Sequence, residues 1–289
     1  MSFKDILVHV DSSEWGRARL RLASNLARRH QARLKALFVR EPSIAQQRQL
    51  KSSELGLVPS RQTGTLRVAI IDDLHAQAIA LQKQLREIAR EESIDVAWHD
   101  VTGHARTVVA QHARYADVSI VGHDPREHAE LPEEYAFAEH VLFSTGRPVL
   151  MVPPDASAVA EVRLGAHVAI AWNGSPACAR TLSAVIPMIE GAEHITVLIA
   201  NTGKPSNPDW LPPQAILDHL RRHIANVDVR TIEAAGAETS DLLQGAALGD
   251  GADVLIAGAH GRPTLWEKLL GGVTRGLLSE PRIPILMSS

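Results

Sequence analysis

The chain has 289 residues, of which 45% are hydrophobic and 22% charged, with a formal net charge of -3. This length suits about two ordinary domains, each with its own buried core, and the charge offers no basic field that would gather nucleic acid. The single cysteine, Cys178, excludes an intramolecular disulfide, Met1-Ser2-Phe3-Lys4-Asp5 carries no apolar signal core, and no apolar run reaches the roughly 18 residues that span a bilayer; a soluble, cytoplasmic protein with no membrane partner is expected.

In chain order, Lys4 to Val10 reads as a strand, and Asp11-Ser12-Ser13 supplies a polar turn and an N-cap for a helix over Glu14 to His30. Leu20, Leu22, Ala23, Leu26 and Ala27 form that helix's inner stripe, and Leu34 to Val39 is the second strand. Residues 41–67 are polar and lack a sustained period, so they stand either as a mobile lid or as an excursion of short helices, with the structural reading preferred. A helix is expected from Asp72 to Glu92, with Leu74, Ala78, Leu81, Leu85, Ile88 and Ala89 inward. Then come a strand at Asp95 to Asp100, a helix at Ala105 to Tyr115, a strand at Val118 to Val121, a helix at Pro132 to Ser144 and a strand at Pro148 to Val152.

Pro153-Pro154-Asp155-Ala156-Ser157-Ala158 has the composition of a linker, which divides the chain into domains over residues 1–153 and 162–289. The second part repeats the order. Strands are expected at His167 to Ala171, Ile195 to Ala200, Asp228 to Ile232, Ala252 to Ala257 and Ile283 to Met287. Helices fall at Pro176 to Glu190, Pro213 to Ile224, Glu238 to Leu248 and near Val273. Such alternation implies an α/β fold, here two tandem doubly wound parallel-sheet domains with helices on both faces.

The repetition is visible residue by residue. Ala116-Asp117-Val118-Ser119-Ile120-Val121-Gly122 matches Ala252-Asp253-Val254-Leu255-Ile256-Ala257-Gly258 at an offset of 136, and Pro148-Val149-Leu150-Met151 falls on Pro284-Ile285-Leu286-Met287 at the same offset. The apolar strand at Ile6 to Val10 with its Asp11 turn likewise corresponds to Val168 to Trp172 with Asn173.

The last strand-to-helix turn of the second copy carries Gly258, His260, Gly261 and Arg262, followed by Gly271, Gly272, Val273 and Thr274. Glycines there let backbone N–H groups approach a ligand, and a helix opening near Val273 adds unpaired amides and a positive dipole end, a combination suited to phosphate. In an open parallel sheet, ligands bind beyond the carboxyl ends of the strands, where Asn173, Ala200 and Gly258 could converge.

Gly258, two residues, Gly261, nine residues and Gly271 resemble the loop of nucleotide-binding members of the universal stress protein family. The resemblance extends over both halves. It implies the Rossmann-like universal stress protein fold, a stress-response sensor or binding module, and a site for ATP or another adenine nucleotide, with magnesium carried by the phosphates. It assigns the loop glycines to the phosphates and Asn173 and Ala200 to the adenosine. The sequence departs from the pattern at Gly272, where the family has Ser or Thr, and at Asn173, where it usually has aspartate. Gly272 keeps its N–H, Thr274 brings a nearby hydroxyl, and the Asn173 amide oxygen can accept from an adenine amino group. His260 and Arg262 are further phosphate or ribose candidates. The resemblance also implies that the last strands of the two copies pair inside one chain as a pseudo-twofold dimer, with further oligomerisation and protein partners open.

The first copy lacks the cradle: Pro125, Tyr135 and Ala136 stand at the positions of Gly261, Gly271 and Gly272, among Asp124, Glu127, Glu130, Glu133 and Glu134. Asp11 resembles the family's adenosine contact but is read as the cap of the following helix. No paired cysteine motif, His-x-x-x-His or Gly-x-Ser-x-Gly appears, so no catalytic or metal residue is assigned and any ATP hydrolysis would be slow. The alternative from another class is an interaction scaffold of the same fold that binds no nucleotide.

Overall fold

The computed structural model describes residues 2–13, 15–55, 60–123, 137–154, 163–203, 211–234, 239–259 and 272–289. In the first half the elements are β1 (Asp5–Val10), α1 (Gly16–His30), β2 (Arg33–Arg40), α2 (Ile44–Glu54), α3 (Ser60–Glu92), β3 (Val96–Thr102), α4 (Ala105–Ala113), β4 (Val118–Gly122), α5 (Phe137–Thr145) and β5 (Val149–Val152). In the second half they are β6 (His167–Ala171), α6 (Pro176–Ile189), β7 (His194–Asn201), α7 (Pro213–Leu220), β8 (Val227–Glu233), α8 (Thr239–Gly249), β9 (Val254–Gly258), α9 (Gly272–Ser279) and β10 (Ile285–Ser288).

All ten strands join one sheet in the order β3-β2-β1-β4-β5-β10-β9-β6-β7-β8. The mostly apolar strands β4, β5, β9 and β10 are buried along nearly all of their lengths and lie centrally, while β3 and β8, which carry Asp100, Asp228 and Arg230, form the two edges. Charge on an edge strand opposes pairing with another chain. Every strand pair is parallel except β5–β10, where Met151, Leu150 and Val149 lie opposite Ile285, Leu286 and Met287. Leu150 and Leu286 are repeat equivalents, and Met151 and Val149 each face the equivalent of the other, so a pseudo-twofold axis passes between Leu150 and Leu286. Two sheets that would each end in an open edge instead close on each other, with both leucines fully buried.

Strand alternation sends Val8, Leu150, Ile170 and Leu286 to one face, where α1, α3, α6 and α7 cover them, and Leu7, Met151, Leu255 and Met287 to the other, under α4, α5, α8 and α9. Each apolar layer runs across both halves. The repeated aspartates explain part of the duplication. Asp117 accepts the N–H groups of Lys4 and Asp5 at 2.6 and 3.0 Å, and Asp253 accepts those of Gly165, Ala166 and His167 at 2.5, 2.8 and 2.8 Å, so in each half a carboxylate fastens the entry to the first strand.

The segment after β2 is helical, in line with the preferred structural reading of residues 41–67: Ser43 Oγ accepts the Gln46 N–H at 3.2 Å and Gln46 Oε1 accepts the Ser43 N–H at 2.8 Å, a reciprocal cap that starts α2. One expectation changes. The following helix begins at Ser60 instead of Asp72, because Ile70 joins Leu74, Ala78 and Leu85 on the buried face and the helix propagates backward from there. The expected linker mostly lies outside the described residues.

Candidate functional site

Strand order places the carboxyl end of β6 between those of β9 and β7. Ala171 is level with Ala257 on one side and Leu198 on the other, so Gly258, Asn173 and Ala200 emerge side by side at the crevice where the chain leaves the sheet. Gly272, Val273 and Thr274 open α9, with Gly272 exposed and Thr274 buried. His260, Gly261, Arg262 and Gly271 lie outside the described residues, as does the first-half loop from Asp124 to Ala136.

The hydrogen-bond parity of β7 determines what Ala200 presents. Trp172 N–H donates to the Leu198 carbonyl at 2.9 Å, so Leu198 faces β6, and Ala200, two residues on, faces the same way. Asn201 faces β8, accepting the Ala234 N–H at 2.8 Å. Because β6 has ended, the N–H and C=O of Ala200 open together onto the crevice, with no partner among the described residues.

Asn173 sits in a tight turn that Gly174, at φ 65°, allows. Its Oδ1 accepts the Ser175 N–H at 3.1 Å and the Cys178 S–H at 3.0 Å. Ser175 in turn caps α6, accepting the Cys178 N–H at 3.3 Å, with Pro176 at the first helical position. Both lone pairs of the Asn173 oxygen are thus used within the turn, which leaves its exposed amide N–H groups, and not the oxygen, for anything outside.

Gly258 has a packing reason of its own. A Cβ there would stand 2.5 Å from the Cys178 backbone nitrogen and 2.8 Å from the Ala177 carbonyl carbon. Only glycine lets the first turn of α6 rest on the end of β9. Gly258→Ala is expected to push α6 outward and cost about 1–3 kcal/mol, read as a lower urea midpoint with an unchanged slope.

Residues 2–131 match the Universal stress protein family. No curated protein matches the sequence of this chain. Solved structures of similar fold span both halves. A universal stress protein from Archaeoglobus fulgidus is 14% identical with a TM-score of 0.69, covering 99% of this chain and 96% of its own. A functionally unknown protein from Pseudomonas aeruginosa PAO1 is 17% identical with a TM-score of 0.57, covering 99% and 92%. A putative universal stress protein from Pseudomonas aeruginosa UCBPP-PA14 is 16% identical with a TM-score of 0.56, covering 99% and 93%. The fold is α/β with a mixed, mostly parallel sheet and two universal-stress-protein-like halves.

The corresponding strand ends of the first half are occupied by the protein itself. Arg19, 3% exposed, donates from Nε to the His9 carbonyl at 3.0 Å and from Nη2 to Asp11 Oδ2 at 2.6 Å, and its guanidinium lies where a Cβ on Gly122 would be. The second-half counterpart of Arg19 is Thr181, whose hydroxyl donates to the backbone carbonyl of Ala177 at 3.0 Å, with the Ser288 carbonyl 3.2 Å away. The Val39 carbonyl, counterpart of that of Ala200, accepts the Glu41 N–H at 3.0 Å.

Asp11 does not cap α1, correcting the capping expectation. Trp15 occupies the N-cap position and its side chain makes no capping bond, while Asp11 Oδ1 accepts the Ser13 N–H at 3.0 Å and the Ser13 hydroxyl at 2.5 Å. Burial works to raise the Asp11 carboxyl, but the Arg19 guanidinium, with His9 and the Ser13 bonds, holds it well below the usual carboxylate range. Burial pushes the His9 imidazole down to about 4, against the pull of Asp11 and with help from Arg19. Arg19 has one signal in the sequence, a guanidinium beside Leu20 near the inner stripe of α1 where the second copy has Thr181. Among the described residues no group of three or more His, Cys, Asp or Glu side chains is placed to hold a metal, and no helix is long and apolar enough to cross a membrane.

Proposed function

We propose that the chain is a stress-response binding module of two domains, residues 1–153 and 162–289, and that the second domain binds an adenine nucleotide of the ATP class. The observation that carries this reading is the open N–H and C=O pair of Ala200. The Watson–Crick edge of adenine sets an acceptor, N1, beside a donor, the 6-amino group, which is the complement of one free backbone N–H next to one free backbone C=O. With the base against Ala200, the ribose falls over Asn173 on the neighbouring strand. The phosphates then run toward Gly258 and the amides opening α9, where a helix N-terminus favours anions and Gly272 contributes its own N–H. Any magnesium would travel with the phosphates. The first half, filled by Arg19 and with the Val39 carbonyl already bonded, offers no equivalent opening, so one nucleotide per chain is the expected stoichiometry.

Thermal unfolding with ATP and with inosine triphosphate tests the reading. A ligand selective for the native state raises the melting temperature, by an amount corresponding to about 2.7 kcal/mol at one hundred times its dissociation constant. ATP is expected to produce a clear rise at millimolar concentration. Inosine triphosphate, whose 6-oxo group and N1–H reverse the donor and acceptor, should produce a much smaller one. No rise with ATP, or equal rises with both, sinks the reading of Ala200.

A further inference from the structure

Asn173 carries an inference that rests on the proposed nucleotide site and deepens it. We propose that this residue sets the ligand class: the second-half site takes nucleotides bearing a phosphate ester on the ribose 2′ or 3′ oxygen, with adenosine 3′,5′-bisphosphate as the simplest probe. The order β9-β6-β7 puts Asn173 between the strand end that faces the base and the one that faces the 5′ phosphates, which is the position of the ribose.

The amide's orientation is not arbitrary. The Ser175 N–H at 3.1 Å requires an acceptor, and turning the amide over would set N–H against N–H; Cys178 Sγ lies 3.0 Å from the same oxygen and 3.5 Å from the Ala171 carbonyl. Nδ2 is left outermost, on an exposed residue, with no partner among the described residues. A donor-only, uncharged edge satisfies the oxygens of a phosphate ester. An aspartate at the same place is acceptor-only and negative, so it binds ribose hydroxyls but repels a ribose phosphate. The first half retains such a carboxylate in Asp11 and neutralises it internally with Arg19 at 2.6 Å. The second half has lost both the carboxylate and the arginine.

Isothermal titration of the full chain with ADP and with adenosine 3′,5′-bisphosphate, in the native protein and in Asn173→Asp, tests this. The substitution should not disturb the turn, because Asp11 makes the same bond to the Ser13 N–H at 3.0 Å. The native chain is expected to bind the bisphosphate at least as tightly as ADP. Asn173→Asp should weaken the bisphosphate by about tenfold or more while tightening ADP, whose free ribose hydroxyls can donate to the new carboxylate. A bisphosphate bound about tenfold more weakly than ADP by the native chain overturns the proposal, as does an equal change for both ligands in the variant. If neither of these ligands nor ATP binds, the nucleotide reading itself falls, and this inference with it.

Discussion

Asp253→Ala lowers the unfolding free energy by on the order of 3–5 kcal/mol, the largest single-residue effect expected outside the apolar core. The carboxylate is buried and accepts three consecutive N–H groups, those of Gly165, Ala166 and His167, which form the entry to β6. Burial pushes the Asp253 carboxyl up, and those same N–H groups pull it back down. Alanine removes the acceptor and leaves three donors in a region too enclosed for water to replace it fully. Asp253→Asn keeps one oxygen and should recover part of the loss. The sister substitution Asp117→Ala removes bonds to Lys4 and Asp5 at a more exposed position, so about 1 kcal/mol is expected there. Urea unfolding of the three variants decides the matter; equal midpoints for Asp253→Ala and Asp117→Ala would show that burial does not control the effect.

Acidification from pH 7.5 to 4.5 should remove on the order of 5 kcal/mol of stability through two buried histidines. His9 and His30 are both held down to about 4 from the ordinary 6.5, in each case chiefly by burial, with Arg19 adding to the effect at His9 and Arg29 at His30. In the unfolded chain each takes a proton near 6.5, whereas in the folded chain neither does until about 4. Between those values the unfolded state binds more protons, so stability is full above 6.5 and falls as the pH drops toward 4. Asp11 acts in a different window: its carboxyl is held low, so its contribution is present at neutral pH and is lost only below about pH 4. Unfolding midpoints taken at intervals from pH 7.5 to 4.5 should slope accordingly. His9→Ala, which places the second half's residue Ala171 at the equivalent position, should remove about half of the slope. A flat profile in the native protein would contradict the burial of both rings.

Much of the fold was legible because it rests on local rules. The 136-residue repeat, the strand and helix order and the central placement of the most apolar strands follow from residue type and period. The start of α3 was missed because residues 60–67 carry little apolar period and are helical through propagation from Ile70 and Leu74. The start of α2 was available in Ser43 and Gln46, three residues apart. At the candidate site, Asn173, Ala200 and Gly258 were legible by position, but the part each plays was not. The Asn173 amide is oriented by the turn that ends in Ser175, the Ala200 backbone lacks a partner among the described residues because a neighbouring strand stops short, and Gly258 is required by the backbone of α6.

The sequence by itself determined that there are two copies of one α/β unit and that only the second keeps its glycine spacing. Tertiary structure alone decided what stands at each set of strand ends. In the first half Arg19 reaches across to Asp11, the His9 carbonyl and Gly122, the last of these more than a hundred residues away; in the second half Thr181 reaches nothing of the kind, and the Ala200 backbone has no partner among the described residues. The physical reason is that a strand's side-chain pattern and periodicity are written along the chain, whereas a filled or an empty crevice is a relation between ends of strands that only folding brings together.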